Sequence, residues 1–288
     1  MKFSFYPGCS LKGVSNNYEQ SLYAISKALG IELVELEDWN CCGATSYMSI
    51  NELLSHVISS RNLAIAEKTG LDLIAACPAC YVCVNKANIY MTEDELLRNS
   101  IKGILKSAGL EYHGTVRVRH YLDVLVKDIG EDVLNNLVKN NLNGLKVACY
   151  YGCQVVRPWC DFDDQEMPFK LDGFIKILGG EPVHFPLKAY CCGGALLTTQ
   201  ENVALSLSYK LLKCASDCGA EIIITTCPMC QINLEGYQKR INRAFGSNFD
   251  MPIIYFTQMI GYALGVSIGE LAINRNFNYK RIIERMHV

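Results

Sequence analysis

The sequence predicts an α/β protein built from two duplicated, Rossmann-like units, each with a parallel sheet. Apolar segments of strand length alternate with amphipathic segments of helix length, which is typical of parallel sheets covered by helices. A pattern of five cysteines also occurs twice, and the 288 residues, 50% of them hydrophobic, are enough for two cores. We therefore expect two units, residues 1–144 and 145–288, that meet at the polar, turn-rich segment 140–144.

In the first half, apolar runs predict strands and 3.6-residue spacing of apolar positions predicts helices. Gly30 and Gly70 follow two of the helical segments and provide stop signals. The predicted strands are Lys2–Tyr6, Ile31–Leu36 and Leu71–Ala76, and the predicted helices are Tyr18–Leu29, Ile50–Thr69 and one beginning in Val82–Tyr90.

The second half repeats this order after an offset of about 150 residues, with a longer first loop from Gln154 to Lys170. The predicted strands are Lys146–Tyr150, Pro182–Phe185 and Glu221–Thr226, and the predicted helices are Leu171–Leu178, Glu201–Cys218 and Gln231–Phe245. A fourth strand and helix are expected in each half, within residues 116–130 and 253–265.

Ten of the 15 cysteines form the duplicated pattern of a lone cysteine, a Cys-Cys-Gly and a Cys-Pro-x-Cys. In both copies 34 residues separate the Cys-Cys pair from the Cys-Pro-x-Cys. Each segment follows a predicted strand, and the carboxyl ends of parallel strands share one edge where such folds bind ligands. Each half is therefore expected to bring one set of five cysteines together, namely Cys9, Cys41, Cys42, Cys77 and Cys80 in the first half and Cys153, Cys191, Cys192, Cys227 and Cys230 in the second.

Composition indicates which kind of chemistry these cysteines are suited to. The formal net charge of -2 offers no general attraction to nucleic acid, and no apolar run is long enough to span a membrane, so we expect a cytoplasmic protein. Disulfides are rare in that reducing compartment, which favours metal binding or thiol redox chemistry. Zinc takes four ligands and fits a five-thiol set with vicinal cysteines poorly, whereas iron–sulfur clusters accept it. Zinc in at least one half and metal-free thiol redox chemistry stay open as alternatives.

The repeated pattern resembles the CCG-domain family and, within it, the B subunits of heterodisulfide reductases from methanogenic archaea. The resemblance covers the whole chain. It implies that each set of five cysteines holds one noncubane [4Fe-4S] cluster, giving two such clusters per chain. It also implies the reductive cleavage of the mixed disulfide of coenzyme M and coenzyme B to two thiols, a reaction of methanogenesis.

The same resemblance implies partners. These are the C subunit of heterodisulfide reductase, which holds iron–sulfur clusters, and the A subunit, which holds FAD and iron–sulfur clusters. The three subunits would belong to a larger complex that contains a hydrogenase or formate dehydrogenase and that carries out electron bifurcation. The sequence itself has no Gly-x-Gly-x-x-Gly motif, so flavin or dinucleotide chemistry is expected to come from a partner. A disulfide held between two clusters, each taking one sulfur, is the mechanism that the duplication suggests.

Two other functions remain open. One is an electron-transfer role in a lactate-oxidising or glycolate-oxidising complex or in a thiol:fumarate reductase. The other is a non-enzymatic relay or scaffold protein that holds zinc or iron–sulfur clusters.

Several residues near the cysteines are secondary candidates. Lys12, Arg157 and Lys188 are candidate contacts for the anionic tails of the coenzymes, with a solvated loop charge as the alternative. Thr45, Ser46, Thr198 and Thr199 are expected to cap the helices that follow the Cys-Cys pairs, with substrate contact as the alternative. Cys83 follows Cys80 closely, but the second half has Asn233 at the equivalent place, so neither is assigned as a ligand.

Overall fold

The computed structural model describes residues 1–44 and 47–286. Thr45 and Ser46, two of the expected helix caps, lie outside the described residues.

The first half of the chain contains four strands and eight α-helices among its described residues. The strands are β1 (Lys2–Tyr6), β2 (Glu32–Glu35), β3 (Leu73–Ala75) and β4 (Val118–His120). The helices are α1 (Gly8–Lys12), α2 (Asn16–Ala28), α3 (Tyr47–Ile50), α4 (Glu52–Glu67), α5 (Pro78–Glu93), α6 (Glu95–Ser107), α7 (Tyr121–Val124) and α8 (Gly130–Asn136), with a π-helix at Leu125–Ile129.

The second half repeats the arrangement over its described residues, with four strands and six α-helices. The strands are β5 (Lys146–Tyr150), β6 (Glu181–Pro182), β7 (Ile222–Thr225) and β8 (Ile253–Tyr255). The helices are α9 (Lys170–Ile177), α10 (Glu201–Asp217), α11 (Pro228–Gln231), α12 (Gln238–Phe245), α13 (Phe256–Ala263) and α14 (Tyr279–Met286), with a π-helix at Ile232–Gly236 and 3₁₀ turns at Gly194–Leu196 and Ile273–Arg275.

Each half forms one four-stranded sheet whose strand pairs are all parallel. The strand orders are β2-β1-β3-β4 and β6-β5-β7-β8, so the first strand of each half lies inside its sheet. Four of the five residues of both β1 and β5 are buried, as expected for strands covered on both faces. The predicted α/β class and the predicted duplication are confirmed.

Some elements differ from the sequence-based expectation. β6 is limited to Glu181–Pro182 at the edge of its sheet, where the Glu181 and Val183 N–H groups donate to β5-side carbonyls and the proline, which has no N–H, needs no partner on the open side. The helix expected over Gln231–Phe245 begins at Pro228 instead, and a π-helix interrupts it. The expectation for Thr198 and Thr199 was wrong, because Gln200 stands at the start of α10 and its side chain makes no capping bond.

The compact units do not follow the sequence repeat. One unit comprises Met1–Val14 and Gly30–Val124, and the other comprises Ser15–Leu29 and Leu125–Val288. α2 therefore belongs to the second unit, where Tyr18 stacks on Tyr255 with 4.2 Å between ring centroids. The buried apolar face of α2 explains this placement, because it needs a covering surface, which α13 provides. The boundary at residue 144 stays a prediction for where one sequence repeat ends and the next begins. The chain itself passes from one compact unit to the other after residues 14, 29 and 124.

Candidate metal centre

The cysteine segments follow the strands of each sheet in the same order. In the first unit, Cys9 lies in α1 directly after β1, and Cys77 is the residue before α5, directly after β3. In the second unit, Cys153 follows β5 and Cys227 is the residue before α11, directly after β7. The Cys-Cys pairs lie in the loops after β2 and β6. Each unit thus presents its three segments at the carboxyl edge of its own sheet.

In the first unit these segments bring five sulfurs into contact, a set that we call the N-terminal thiol set. Cys42 Sγ and Cys80 Sγ are 3.4 Å apart. Cys41 interacts with both Cys9 and Cys42, and Cys80 interacts with Cys77. All five cysteines of the first repeat are therefore connected through sulfur contacts.

The second unit contains an equivalent C-terminal thiol set. Cys192 Sγ and Cys230 Sγ are also 3.4 Å apart, Cys153 interacts with Cys191, and Cys230 interacts with Cys227. The matching geometry shows that the sequence duplication extends to the arrangement of the sulfurs.

Both sets are closed on one side and open on the other. Cys42, Cys77 and Cys80 are each less than 5% exposed, whereas Cys9 and Cys41 are exposed. The second set follows the same division: the last cysteine of the pair and both cysteines of the Cys-Pro-x-Cys are buried, Cys191 is exposed and Cys153 is partly exposed. A reactant can therefore approach each set from the lone cysteine and the first cysteine of the pair.

A duplicated hydrogen-bond framework holds the Cys-Cys loops. The hydroxyl of Tyr6 donates to the carbonyl oxygen of Asn40 at 2.8 Å, just before Cys41. Tyr150 makes the same bond to Tyr190, also at 2.8 Å, just before Cys191.

A second duplicated bond comes from the helix that follows each pair. The Ser59 hydroxyl donates to the carbonyl oxygen of Cys42, and the Ser208 hydroxyl donates to that of Cys192, both at 3.0 Å. These tyrosines and serines were not among the predicted site residues, although Tyr6 and Tyr150 occupy equivalent places before the lone cysteines.

Two glycines make room for the sulfurs. Gly8 and Gly152 precede the lone cysteines and have φ values of +70° and +72°, a region that favours glycine. A Cβ on Gly8 would lie 2.8 Å from Cys80 Sγ, and a Cβ on Gly152 would lie 3.3 Å from Cys230 Sγ. Glycine at these positions leaves room for the sulfur of the last cysteine.

The sulfurs shift one another's protonation. Contact with Cys42 is the largest cause that raises the pKa of Cys80, and contact with Cys192 does the same for Cys230. The contact with Cys153 lowers the pKa of Cys191 to about 6, and the backbone N–H groups of Gly193 and Gly194 act in the same direction. Several thiolates can coexist in such a set only if a cation compensates their mutual repulsion.

The donor set fits a group with several metal atoms. Within residues 1–44 and 47–286, no group of three or more His, Cys, Asp or Glu side chains is arranged to hold a metal ion. Each thiol set instead consists of five soft sulfur donors that lie together at the carboxyl edge of one sheet. Soft thiolates are the ligands of iron–sulfur clusters, which distribute their ligands over several irons.

The three candidate cations each have a partner inside their own unit. Lys12 Nζ lies 2.6 Å from Glu35 Oε2, and Arg157 donates to the carbonyl oxygen of Ala189. Lys188 is only 6% exposed and its Nζ lies 2.6 Å from Asp172 Oδ1. These ion pairs and hydrogen bonds give the cations structural roles, and substrate contact by Lys12, Arg157 or Lys188 stays a prediction.

An apolar cavity of about 310 Å³ adjoins the N-terminal thiol set. Cys41, Asn40 and Arg61 form its polar part. The apolar walls come from α4, α6 and the residues after α6, namely Val57, Ile58, Ile104, Leu105, Ala108 and Leu110. The first half has 40 residues between Cys77 and β4, whereas the second has 25 between Cys227 and β8, because α6 has no counterpart between α12 and β8.

None of the described helices has the combination of length and apolar character that a bilayer crossing requires.

Curated relatives match this chain over nearly its full length. It is 32% identical over 277 residues to the 8-methylmenaquinol:fumarate reductase membrane anchor subunit of Wolinella succinogenes, covering 96% of each chain. It is 29% identical to the B subunit of the ferredoxin/F420H2-dependent CoB-CoM heterodisulfide reductase of Methanosarcina acetivorans, covering 96% of this chain and 93% of that one. A protein of Archaeoglobus profundus that is named as similar to the heterodisulfide reductase B subunit is 31% identical, with 99% of each chain covered.

A solved structure supports the fold. The crystal structure of a hypothetical protein from Helicobacter pylori matches with a TM-score of 0.75 at 16% identity, covering 96% of this chain and 52% of that chain.

The cysteine-rich domain model named CCG matches twice, at residues 3–85 and 147–235. These ranges contain both thiol sets and more than half of the chain. With two matches to the domain model and two equivalent sets of five sulfurs, the chain belongs to the CCG cysteine-rich domain family.

Proposed function

We propose that the chain is the catalytic B subunit of a heterodisulfide reductase, which reduces the mixed disulfide of coenzyme M and coenzyme B to two thiols in methanogenesis. The observation that carries the proposal is the presence of two equivalent five-sulfur sets, each with three buried and two accessible members. Support comes from relatives named as heterodisulfide reductase B subunits, at 28–29% identity over 96% of this chain.

The cofactors in this proposal are two noncubane [4Fe-4S] clusters, one for each thiol set. When bound, such a cluster supplies single electrons and iron atoms with affinity for thiolate sulfur. The buried cysteines would anchor the cluster, and the tyrosine and serine bonds to the Cys-Cys loops would fix the ligand positions. The reaction consumes one disulfide, two electrons and two protons and yields two thiols, so the electrons must come from a partner.

The proposed partners are the C subunit of heterodisulfide reductase, with iron–sulfur clusters, and the A subunit, with FAD and iron–sulfur clusters. A hydrogenase or formate dehydrogenase would complete the complex and supply the electrons for electron bifurcation. That relatives are named as subunits of such reductases supports an assembly of several chains.

The cofactor proposal is tested by anaerobic analysis of iron and acid-labile sulfide in the purified chain. We expect about eight irons per chain, the content of two four-iron clusters. Cys42→Ser and Cys192→Ser should each remove about half of the iron, since each removes a buried ligand of one set. Cys149→Ala is the matched control, because Cys149 is buried in β5 outside both sets. Stoichiometric zinc without sulfide would contradict the proposal.

The substrate proposal is tested separately with the iron-replete chain and a reduced viologen dye. We expect dye oxidation on addition of the coenzyme M–coenzyme B disulfide, and less oxidation with either symmetric disulfide. If the iron-replete chain, alone and together with its partner subunits, leaves the dye reduced, the substrate assignment is wrong even though the clusters are present.

A second candidate function is electron transfer with a quinol, as in a fumarate reductase of the thiol-linked or quinol-linked kind. The Wolinella relative, named for 8-methylmenaquinol, and the apolar cavity beside Cys41 favour it. Ligand sites are commonly apolar clefts of this volume or larger with a few polar groups. Oxidation of the dye-reduced chain by a menaquinone analogue, but not by the mixed disulfide, would favour this function over the first.

A further inference from the structure

The two thiol sets differ at one buried position. The residue three places after the last cysteine is Cys83 in the first repeat and Asn233 in the second. Residues three apart on a helix share a face, so both side chains point to the same side as Cys80 and Cys230. Both are buried, with 7% and 1% of their surface exposed.

Each of these side chains contacts the second cysteine of the neighbouring pair. Asn233 Nδ2 lies 3.7 Å from Cys192 Sγ and 3.3 Å from the carbonyl oxygen of Cys192. In the first repeat the contact is between the side chains of Cys83 and Cys42. Cys83 and Asn233 thus stand at equivalent positions but differ in the group that faces the ligand cysteine.

The orientation of Asn233 supports a directed role for its amide nitrogen. Asn233 Oδ1 is buried and has no hydrogen-bond partner among the described residues. An unsatisfied buried acceptor is unfavourable and needs a compensating reason. Here the opposite end of the amide directs its N–H group toward a ligand sulfur.

We propose that Cys83 and Asn233 are positioning residues that set the reduction potentials of the two clusters, with the C-terminal cluster at the higher potential. The inference rests on the proposed iron–sulfur clusters and is independent of the proposed substrate. It assigns unequal roles to two sites that share the same five ligands.

The physical reason is the strength of the donor. An amide provides two N–H donors, whereas a thiol is a weak donor. A hydrogen bond to a ligand sulfur places partial positive charge beside the cluster and favours the form with the extra electron, which raises the potential. Asn233 therefore favours reduction of the C-terminal cluster more than Cys83 favours reduction of the N-terminal cluster.

A difference between the reduction potentials of the two clusters determines which cluster the electrons occupy first. Electrons from the partner would rest preferentially on the cluster of the C-terminal thiol set. The N-terminal cluster would be the stronger reductant of the two, so the two one-electron steps of disulfide cleavage would have different driving forces.

The test is a potentiometric titration of the iron-replete chain, without substrate, followed by electron paramagnetic resonance. Asn233→Leu removes the donor with little change in volume and should lower the potential of one cluster only. We expect about a tenfold lower ratio of reduced to oxidised cluster at a fixed solution potential, which corresponds to about 59 mV for one electron. Cys83→Asn should shift the other cluster in the opposite direction.

The double variant Cys83→Asn with Asn233→Cys, which exchanges the two side chains, is the most decisive test. Each side chain is already accommodated at the equivalent position of the other repeat, so little disturbance of the packing is expected. The double variant should invert the order of the two potentials, while Cys149→Ala should leave both unchanged. Unchanged potentials in iron-replete Asn233→Leu and in the double variant would overturn the inference. Loss of half of the iron in Cys83→Ala would also overturn it, since Cys83 would then be a ligand.

Because no disulfide is present in the titration, this result is independent of the activity assay. A chain that fails to reduce the disulfide but shows the expected shifts would contradict the substrate proposal alone.

Discussion

The hydroxyl of Tyr150 donates a 2.8 Å hydrogen bond to the carbonyl oxygen of Tyr190, and so ties the end of the central strand β5 to the residue that precedes Cys191. Tyr6 and Asn40 form the equivalent bond in the first unit. Burial raises the pKa of both hydroxyls, so they stay protonated and act as donors throughout the physiological range.

Removal of either hydroxyl should weaken one thiol set only. We expect Tyr6→Phe and Tyr150→Phe each to lower the free energy of unfolding by about 0.5–1.5 kcal/mol, the usual net contribution of one hydrogen bond. Each variant should also release the iron of one cluster faster to a chelator. Tyr262→Phe is the control, because its hydroxyl donates to the Met286 carbonyl, far along the chain from any ligand cysteine. Equal iron release from all three variants would contradict a role in holding the Cys-Cys loops.

The glycines before the lone cysteines lead to a second prediction. Gly8→Ala should cost more stability than Gly30→Ala, although the two positions have almost the same φ, +70° and +68°. The left-handed conformation alone costs about 1–2 kcal/mol for a residue with a side chain. At Gly8 the new Cβ also lies 2.8 Å from Cys80 Sγ, whereas at Gly30 nothing lies within 4 Å.

The measurement is thermal unfolding together with iron content. Gly8→Ala should lose iron from the N-terminal thiol set, and Gly152→Ala should show a milder loss from the other set, because its closest contact is 3.3 Å. If Gly30→Ala lost as much iron as Gly8→Ala, backbone strain and not the space for the sulfur would be the cause.

The buried His120 should make stability depend on pH. Its Nε2 donates to the Ala76 carbonyl oxygen at 2.7 Å and its Nδ1 accepts from the Leu122 N–H, so the ring is neutral. Burial lowers the pKa of His120 from 6.5 to about 4. The unfolded chain therefore binds the proton more readily, and stability present above pH 6.5 should be lost as the pH falls toward 4, by up to about 3 kcal/mol.

Chemical denaturation across this range, compared between the native chain and His120→Asn, isolates the contribution. The variant should be less stable at neutral pH and should show a smaller loss on acidification. Parallel pH curves for the two proteins would rule out titration of His120 as the cause.

Glu235 should have the opposite dependence. It is 6% exposed, and burial raises its pKa from 4.5 to about 7, against the opposing effect of hydrogen bonds from the Asn278 N–H and the Gln231 amide. The folded protein thus holds a proton that the unfolded chain releases. Stability should fall as the pH rises from 4.5 through 7, by up to about 3 kcal/mol.

Glu235→Gln keeps the shape of the side chain and removes the charge. Its stability relative to the native chain should improve as the pH is raised from 5 to 8, in paired denaturation curves. The exposed Glu270→Gln serves as the comparison, because hydrogen bonds from Ser267 lower the pKa of Glu270. A pH-independent difference between Glu235→Gln and the native chain would contradict the shifted pKa.

Much of the fold follows from local sequence. The strands β1 and β5 have the predicted bounds, because a short apolar run followed by glycine leaves little choice of structure. The cysteine pattern also predicted which strand ends carry the candidate ligands. Whether all ten cysteines bind metal, and in what kind of cluster, stays a prediction.

Other features depend on contacts between distant residues and could not be predicted. The burial of α2 in the second unit depends on Tyr255 and Thr257, more than 230 residues away. The contact of Asn233 with Cys192 joins residues 41 apart in sequence, and the π-helix that contains Asn233 has no clear signal in the sequence. The ion pair of Lys188 with Asp172 likewise joins residues 16 apart in sequence that lie in different segments of the fold.

The assignment of α2 to the second unit limits how this protein can be dissected. A cut at residue 144 would leave the first fragment with a helix whose Tyr18, Leu22 and Ile25 have no covering surface, and the second fragment without the helix that packs on α13. The two matches to one domain model are typical of gene duplication. The two compact units of the present protein are nevertheless not continuous in sequence, so no single cut separates them. Fragments made to study one thiol set alone should therefore aggregate unless residues 15–29 are supplied with the C-terminal part.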